Sequence, residues 1–194
     1  MTYNKNNPKL IPPHGGYRQL KSFQNSEIVY DFTVEFCKTH MSYKTYGSYT
    51  RTVDQMVQAA RSGRQNIAEG SMDSGTSKKI ELKLVGIARG SLEELLLDFE
   101  DFLRQKGLRQ WSKNSPEAQE ARKLAFAQNR SYKTYETYMP LPEAAANCAI
   151  CLIHQTNFLL DKQLESLEKE FLENGGFTER LYRERKKFLD TRCP

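Results

Sequence analysis

Cys148-x-x-Cys151 followed by His154 is the one stretch in the chain where metal-ligand residue types stand at close spacing. A structural zinc site takes four such ligands, and no second Cys pair supplies the rest. Steps of three along a helix also spread side chains around its cylinder, so these cysteines read as small core residues rather than ligands. His14 and His40 fall in loop-like stretches with no nucleophile pattern beside them. Neither GxxxxGK[ST] nor GxGxxG occurs, which removes the glycine loops that cradle phosphates. A di-metal bundle carries Glu-x-x-His pairs on facing helices, and the chain has none. The expectation is a protein that is not an enzyme and has no catalytic residues, metal or cofactor.

What the sequence does supply is positive charge. Lys plus Arg number 29 against 24 Asp plus Glu, a net charge of +5. The balance is uneven along the chain. Residues 51–92 carry seven basic and four acidic side chains, and residues 175–194 carry six and three. Residues 141–174 carry two and six. Such asymmetry points to one basic and one acidic end. Arg51, Arg61, Arg64, Lys78, Lys79 and Lys83 form a candidate phosphate-tracking set, because non-specific nucleic-acid affinity comes mainly from Lys and Arg neutralising phosphates. Arg180, Arg183, Arg185, Lys186 and Lys187 form a second set, able to grip an RNA backbone or an acidic partner. Local acids such as Asp54 and Glu81 offer the alternative of ordinary surface pairs. Tyr43, Tyr46 and Tyr49 could stack on the bases of single-stranded RNA.

These residues have to be positioned by helices. The chain of 194 residues is one domain's worth, with 38% hydrophobic residues, enough for a modest core. Residues 1–17 hold Pro8, Pro12, Pro13, Gly15 and Gly16 without periodicity and read as a flexible arm with no secretory apolar region. The apolar run AAANCAICLI is far short of the roughly 20 residues of a membrane span. A soluble, cytoplasmic protein with no membrane partner is expected. Apolar steps of three and four predict helices over about 20–38, 52–69 and 77–104. Gly70 and Gly75 then bracket a turn, with Thr76 or Ser77 as the N-cap of the third helix. In that helix Ala88, Leu92, Leu95, Phe99 and Phe102 form the stripe, extended backwards by Ile80, Leu84 and Ile87. Leu82, Val85, Leu96, Leu97 and Leu103 fall off it, a surplus that suggests a second contact. Gly86 and Gly90 point to a close backbone approach. Ser115-Pro116-Glu117 starts a helix running to about residue 128. A Tyr-rich connector leads to Pro142, which opens a helix to about residue 174 that Gly175-Gly176 ends. A short final helix closes the chain. No strand pattern occurs, so the class is all-α.

The segment from Gln58 to Leu103 carries two further features: Asn66-Ile67-Ala68-Glu69-Gly70, and then Ala88-Arg89-Gly90-Ser91 followed by Glu93 and Glu94. In this order they resemble the four-helix-bundle proteins of bacterial 23S ribosomal RNA intervening sequences. That family includes the accessory variability protein of diversity-generating retroelements. The likeness covers roughly residues 20–104 and 142–165, and the ending GGFTERLYRERKKFL is similar to the extra C-terminal segment of a longer subgroup. An insertion at about 111–140, carrying the additional helix, sets the chain apart from the compact members, and over residues 18–174 the resemblance implies an up-down four-helix bundle. It also implies a basic helical extension over 175–194 and a ring-like homopentamer. For the retroelement branch it implies binding of nucleic acid and of a reverse transcriptase.

Within the segment, Arg89 sits among apolar neighbours and reads as half of a structural ion pair with Glu69 or Glu94 that fixes helix register. Asn66 reads as a helix-end hydrogen-bonding residue. Two functions follow. One is a non-enzymatic, oligomeric accessory protein that holds RNA or RNA–DNA hybrid on a basic surface for a reverse transcriptase. The other is a structural protein-interaction scaffold with no nucleic-acid role.

Overall fold

The computed structural model describes residues 10–41 and 48–190, with side chains in the second helix from Arg51 onward. Six α-helices follow in order: α1 Lys21–His40, α2 Ser48–Asp73, α3 Lys78–Lys106, α4 Pro116–Lys123, α5 Pro142–Asn174 and α6 Phe177–Asp190. Short 3-10 turns lie at Tyr17–Gln19, Leu124–Phe126 and Tyr132–Tyr138, and no strand occurs among the described residues. α1 packs on α2 and α5, α2 on α3, and α3 on α5, which makes a helical bundle with α4 laid against α5.

The bundle is held by the stripes that the spacing marks. Phe32 and Phe36 of α1, Met56 and Ile67 of α2, Leu92, Leu95 and Phe99 of α3, and Ile153 and Leu160 of α5 are fully buried. The ring of Phe36 meets those of Phe99 and Phe102 edge-on, each at a centroid distance of 4.9 Å. Burial of this kind contributes roughly 1.5–3 kcal/mol per side chain, offset by the entropy of ordering the chain. Ser77 caps α3 by accepting from the N–H of Ile80, and Ser115 caps α4 by accepting from that of Ala118.

Several sequence expectations need correction. Gly70 does not open a turn. α2 continues through it to Asp73, because a bare Cα there lets α3 come close: a Cβ at Gly70 would stand 3.3 Å from Leu84 Cβ. The backward extension of the α3 stripe is not Ile80, Leu84 and Ile87. Ile80 and Ile87 are exposed, and Glu81 and Val85 are buried in their place, which keeps the 4-3-4 step in line with Ala88. Of the surplus residues, Val85, Leu96 and Leu103 are buried and Leu97 is exposed. Gly86 and Gly90 meet nothing: a Cβ at either would find no atom within 4 Å. The close approach falls instead at Gly63, where a Cβ would stand 2.8 Å from Leu92 Cγ. α4 ends at Lys123, not near residue 128, and the Tyr-rich connector holds a 3-10 turn whose Tyr135 is fully buried.

The described end of the N-terminal segment is docked. The N–H of Gly15 donates to the carbonyl of Ser71 at 2.9 Å, and the Tyr17 ring packs edge-on to Phe23.

Candidate nucleic-acid interface

The two sequence features that carry the family resemblance meet on the α2–α3 seam. Asn66 lies inside α2, not at its end, and its amide donates to the carbonyl of Ser62 and to the Ser62 hydroxyl at 3.1 Å. That hydroxyl is hydrogen bonded to Ser91 on α3 at 3.0 Å. Ile67 and Ala88 are fully buried beside this polar link. These residues bind helix to helix.

Arg89 is tied across the other seam. Its Nε donates to Asp161 on α5 at 2.5 Å, with Glu93 a turn away at 4.0 Å. The Asp161 hydrogen bond holds the guanidinium above its ordinary pKa. This corrects the expected partners. Glu69 is exposed on α2, and Glu94 lies on the groove side of α3, away from Asp161. At 40% side-chain exposure the pair is solvent-screened, so it sets register more than it adds stability.

The first basic set is spread over the bundle. Arg51 lines an open groove of 690 Å³ between α2 and α3 that also holds Asp54, Glu94 and Asp98. Arg61 is exposed, and Arg64 stacks over the Tyr30 ring of α1 at 4.5 Å. Lys78 is half-buried and lies 3.1 Å from both Glu81 and Glu170. Burial opposes its charge, but the two carboxylate hydrogen bonds outweigh that and raise its pKa. The same burial raises the carboxyl of Glu81 against the pull of Lys78. Lys79 and Lys83 are exposed on α3. Arg64 is therefore held by packing on Tyr30 and Lys78 by its two carboxylates, and Arg51 shares its groove with acids. Arg61, Lys79 and Lys83 face solvent.

The second basic set is carried by α6, which buries none of its residues. Arg183 donates to the carbonyl of Asn174 at 2.9 Å, so the start of α6 folds back on the end of α5. Lys187 pairs with Glu184 at 3.0 Å, and Arg185 and Lys186 are exposed, while Arg180 is half-buried. The Lys78–Glu170 pair sets the start of α3 beside the last turns of α5, from which α6 issues. The two basic sets, far apart in sequence, thus share one end of the bundle through Lys78, Lys79 and α6.

The remaining candidates fall away from any site. Cys148 and Cys151 are buried while His154 is exposed, so the three do not converge. Burial pushes the Cys148 and Cys151 thiols up, and it pushes the Cys37 thiol up to about 12. No group of metal-ligating side chains occurs among the described residues. The ring nitrogens of His14 and His40 contact the carbonyls of Pro12 and Met139. Tyr43 and Tyr46, and the side chain of Tyr49, lie outside the described residues. No described helix is long and apolar enough to cross a membrane. Sequence reasoning passed over Asp161, which has no special neighbour in the chain and becomes visible only once α3 and α5 are packed.

Comparison with family models, with curated proteins and with solved structures returns no match to this chain.

Proposed function

We propose that this chain is a non-enzymatic accessory protein that holds RNA or RNA–DNA hybrid by its phosphates, without reading base sequence. The observation that carries the reading is α6. It is an amphipathic helix with Arg180, Arg183, Arg185, Lys186 and Lys187, set at the bundle end, and the described residues bury none of its side chains. A helix that stays at the surface and is enriched in cations offers a face to a polyanion. Arg61 adds a further exposed cation on the bundle wall. The resemblance in α2 and α3 adds an up-down arrangement of α1, α2, α3 and α5, a homo-oligomer with a ring-like pentamer as its form, and a reverse transcriptase of a diversity-generating retroelement as the protein that receives the RNA; the composition of the chain adds the cytoplasm as the place of work.

The test is fluorescence anisotropy of a structured RNA and of an RNA–DNA hybrid at two salt concentrations. Binding should fall steeply with salt, with a log–log slope of about −3 to −4 for four or so neutralised phosphates. The variant R183E/K186E/K187E should lose at least about tenfold in affinity and flatten that slope. A well-folded wild-type chain that binds neither probe at low salt would leave the protein-interaction scaffold in its place.

A further inference from the structure

Opposite its buried stripe, α3 carries Lys79, Lys83, Gly86, Gly90, Glu94 and Leu97, at steps of three and four that keep them on one face. All six are exposed. Lys79 and Lys83 form no ion pair among the described residues, and neither has an acid three or four places away along the helix. The other half of the face is acidic. Glu94 and Asp98 stand one turn apart, and burial together with repulsion from Asp101 and Glu94 raises the Asp98 carboxyl above the usual range. The face is thus basic toward its start and acidic toward its end, with neither half compensated on its own helix. Between the halves lie the two glycines, where an added Cβ would meet no described atom of a neighbouring element within 4 Å. Ile80, Ile87 and Leu97 are exposed along the same side, at 44%, 42% and 56%.

Such a face is complementary to itself reversed. A second α3 laid antiparallel about a two-fold axis between residues 88 and 89 puts Lys79 opposite Asp98, Lys83 opposite Glu94, and Ile80 opposite Leu97. Ile87 then meets the gap at Gly90, next to the axis. Sliding the partner by four residues halves the match: Lys79 then faces Phe102 while Lys83 faces Asp98, or Lys83 faces Gly90 while Lys79 faces Glu94. The paired stretch from residue 79 to residue 98 is about 28 Å long. At a small crossing angle of about 20° a lysine spans the separation at either end, and glycines at the crossing allow an interaxial distance at the low end of 8–10 Å. The groove beside Leu97 and Asp98 is open to receive the partner's Ile80.

We propose that this face of α3 is a two-fold interface between two copies of this chain, packed antiparallel and placed in register by four lysine–carboxylate pairs. The occupant is a second copy because the charge pattern matches its own reverse. An isologous contact closes in pairs and does not build a ring. It therefore goes beyond the nucleic-acid reading, takes Lys79 and Lys83 out of the phosphate-contacting set, and leaves α6 free. Where a ring contact exists elsewhere on the chain, this one joins two rings face to face.

The experiment is the solution mass of the full chain by light scattering over a dilution series, with circular dichroism to check folding. The wild type should be an even multiple of 22.5 kDa, ten copies where the ring-like pentamer of the proposed function forms and two such rings join. The variants K79E/K83E and E94K/D98K should each show half the wild-type mass, because like charges then face one another, with dissociation constants raised about tenfold or more. Mixing the two should restore the wild-type mass, since the acidic face of one matches the basic face of the other. An odd multiple for the wild type, unchanged mass in either variant, or no restoration on mixing two folded variants overturns the proposal. Unchanged mass with weakened RNA binding in K79E/K83E would return those lysines to the phosphate contacts; halved mass with RNA binding intact separates the interface from α6.

Discussion

α5 and α6 follow one another across Gly175 and Gly176; α5 carries apolar residues at steps of three and four, and α6 gathers Phe177, Leu181 and Phe188 toward one side. Along α5 those steps are buried from Ala149 through Ile153, Thr156 and Leu160 to Leu167. The same step then places Phe171 at 37% exposure, and the adjacent Leu172 is at 76%. In α6 nothing is buried, and Tyr182 and Leu189 stand open. The two helices differ in company: α1 meets α5 at Gln163 through Ser22 and α3 meets it at Glu170 through Lys78, whereas the described residues bury no side chain of α6. Amphipathicity states that a face can be covered, while the neighbours decide whether it is.

The largest expected effect tests that contrast directly. Phe99→Ala removes a fully buried ring that packs on Phe36, and should cost about 3–5 kcal/mol in denaturant unfolding. Leu189→Ala removes a side chain that touches the bundle little, and should change stability by less than about 0.5 kcal/mol. Comparable losses at the two positions would mean that α6 is part of the cooperative fold, and its role as a free cationic surface would fall.

The glycines sharpen the same contrast inside one bundle. Gly63→Ala gains helix propensity of up to about 1 kcal/mol, but its new methyl group would sit 2.8 Å from Leu92 Cγ, in a core position that cannot swing away. Overpacking of this kind costs typically about 1–3 kcal/mol, so net destabilisation of about 1 kcal/mol is expected. Gly90→Ala meets nothing in its own chain and should stabilise the dilute, unpaired chain by up to about 1 kcal/mol. Thermal unfolding of both variants at low protein concentration reads the two signs. If Gly63→Ala also stabilises, the α2–α3 seam is looser than its glycines and the Ser62–Ser91 link indicate.

How far the sequence could be read follows from the same physics. The bounds of α5 and the caps at Ser77 and Ser115 were legible because they rest on neighbours in the chain: Pro142, Gly175, a serine three residues before an N–H. The stripe of α3 was legible from Ala88 to Phe102 and misread before it, since Ile80 and Ile87 are apolar yet face outward while Glu81 is buried through its pairing with Lys78. Apolar type outweighed periodic position in that reading, and position was the better guide. The candidate site suffered more. Arg89 was seen to need an acid, but the acid is Asp161, on a helix that only packing brings alongside. Six basic residues close in sequence looked like one patch. Along α2 alone the residues from Arg51 to Asp73 span about 33 Å, so closeness in sequence over a helix is distance in space.

The smallest effect concerns Asp98, where the two faces of α3 can be weighed against each other. Its carboxyl is raised by burial, with Asp101 and Glu94 adding to the shift, so the folded chain favours the protonated form. A raised carboxyl in the native state means that the folded chain binds more protons than the unfolded one between the two pKa values. Stability from this group therefore increases as pH falls through the folded value, and the cost is fully present at neutral pH. Asp98→Asn removes that cost and should stabilise the dilute chain at pH 7 by a few tenths of a kcal/mol, a gain that fades as pH drops below the ordinary aspartate range. The same change takes away the carboxylate that Lys79 of a second copy would meet, so at concentrations where copies pair it should weaken association while the single chain becomes slightly more stable. Opposite signs in one variant, read by unfolding at low concentration and by mass at high concentration, follow only if the acidic half of α3 is strained alone and relieved by a partner; two effects of the same sign would make Asp98 an ordinary surface carboxylate beside the groove.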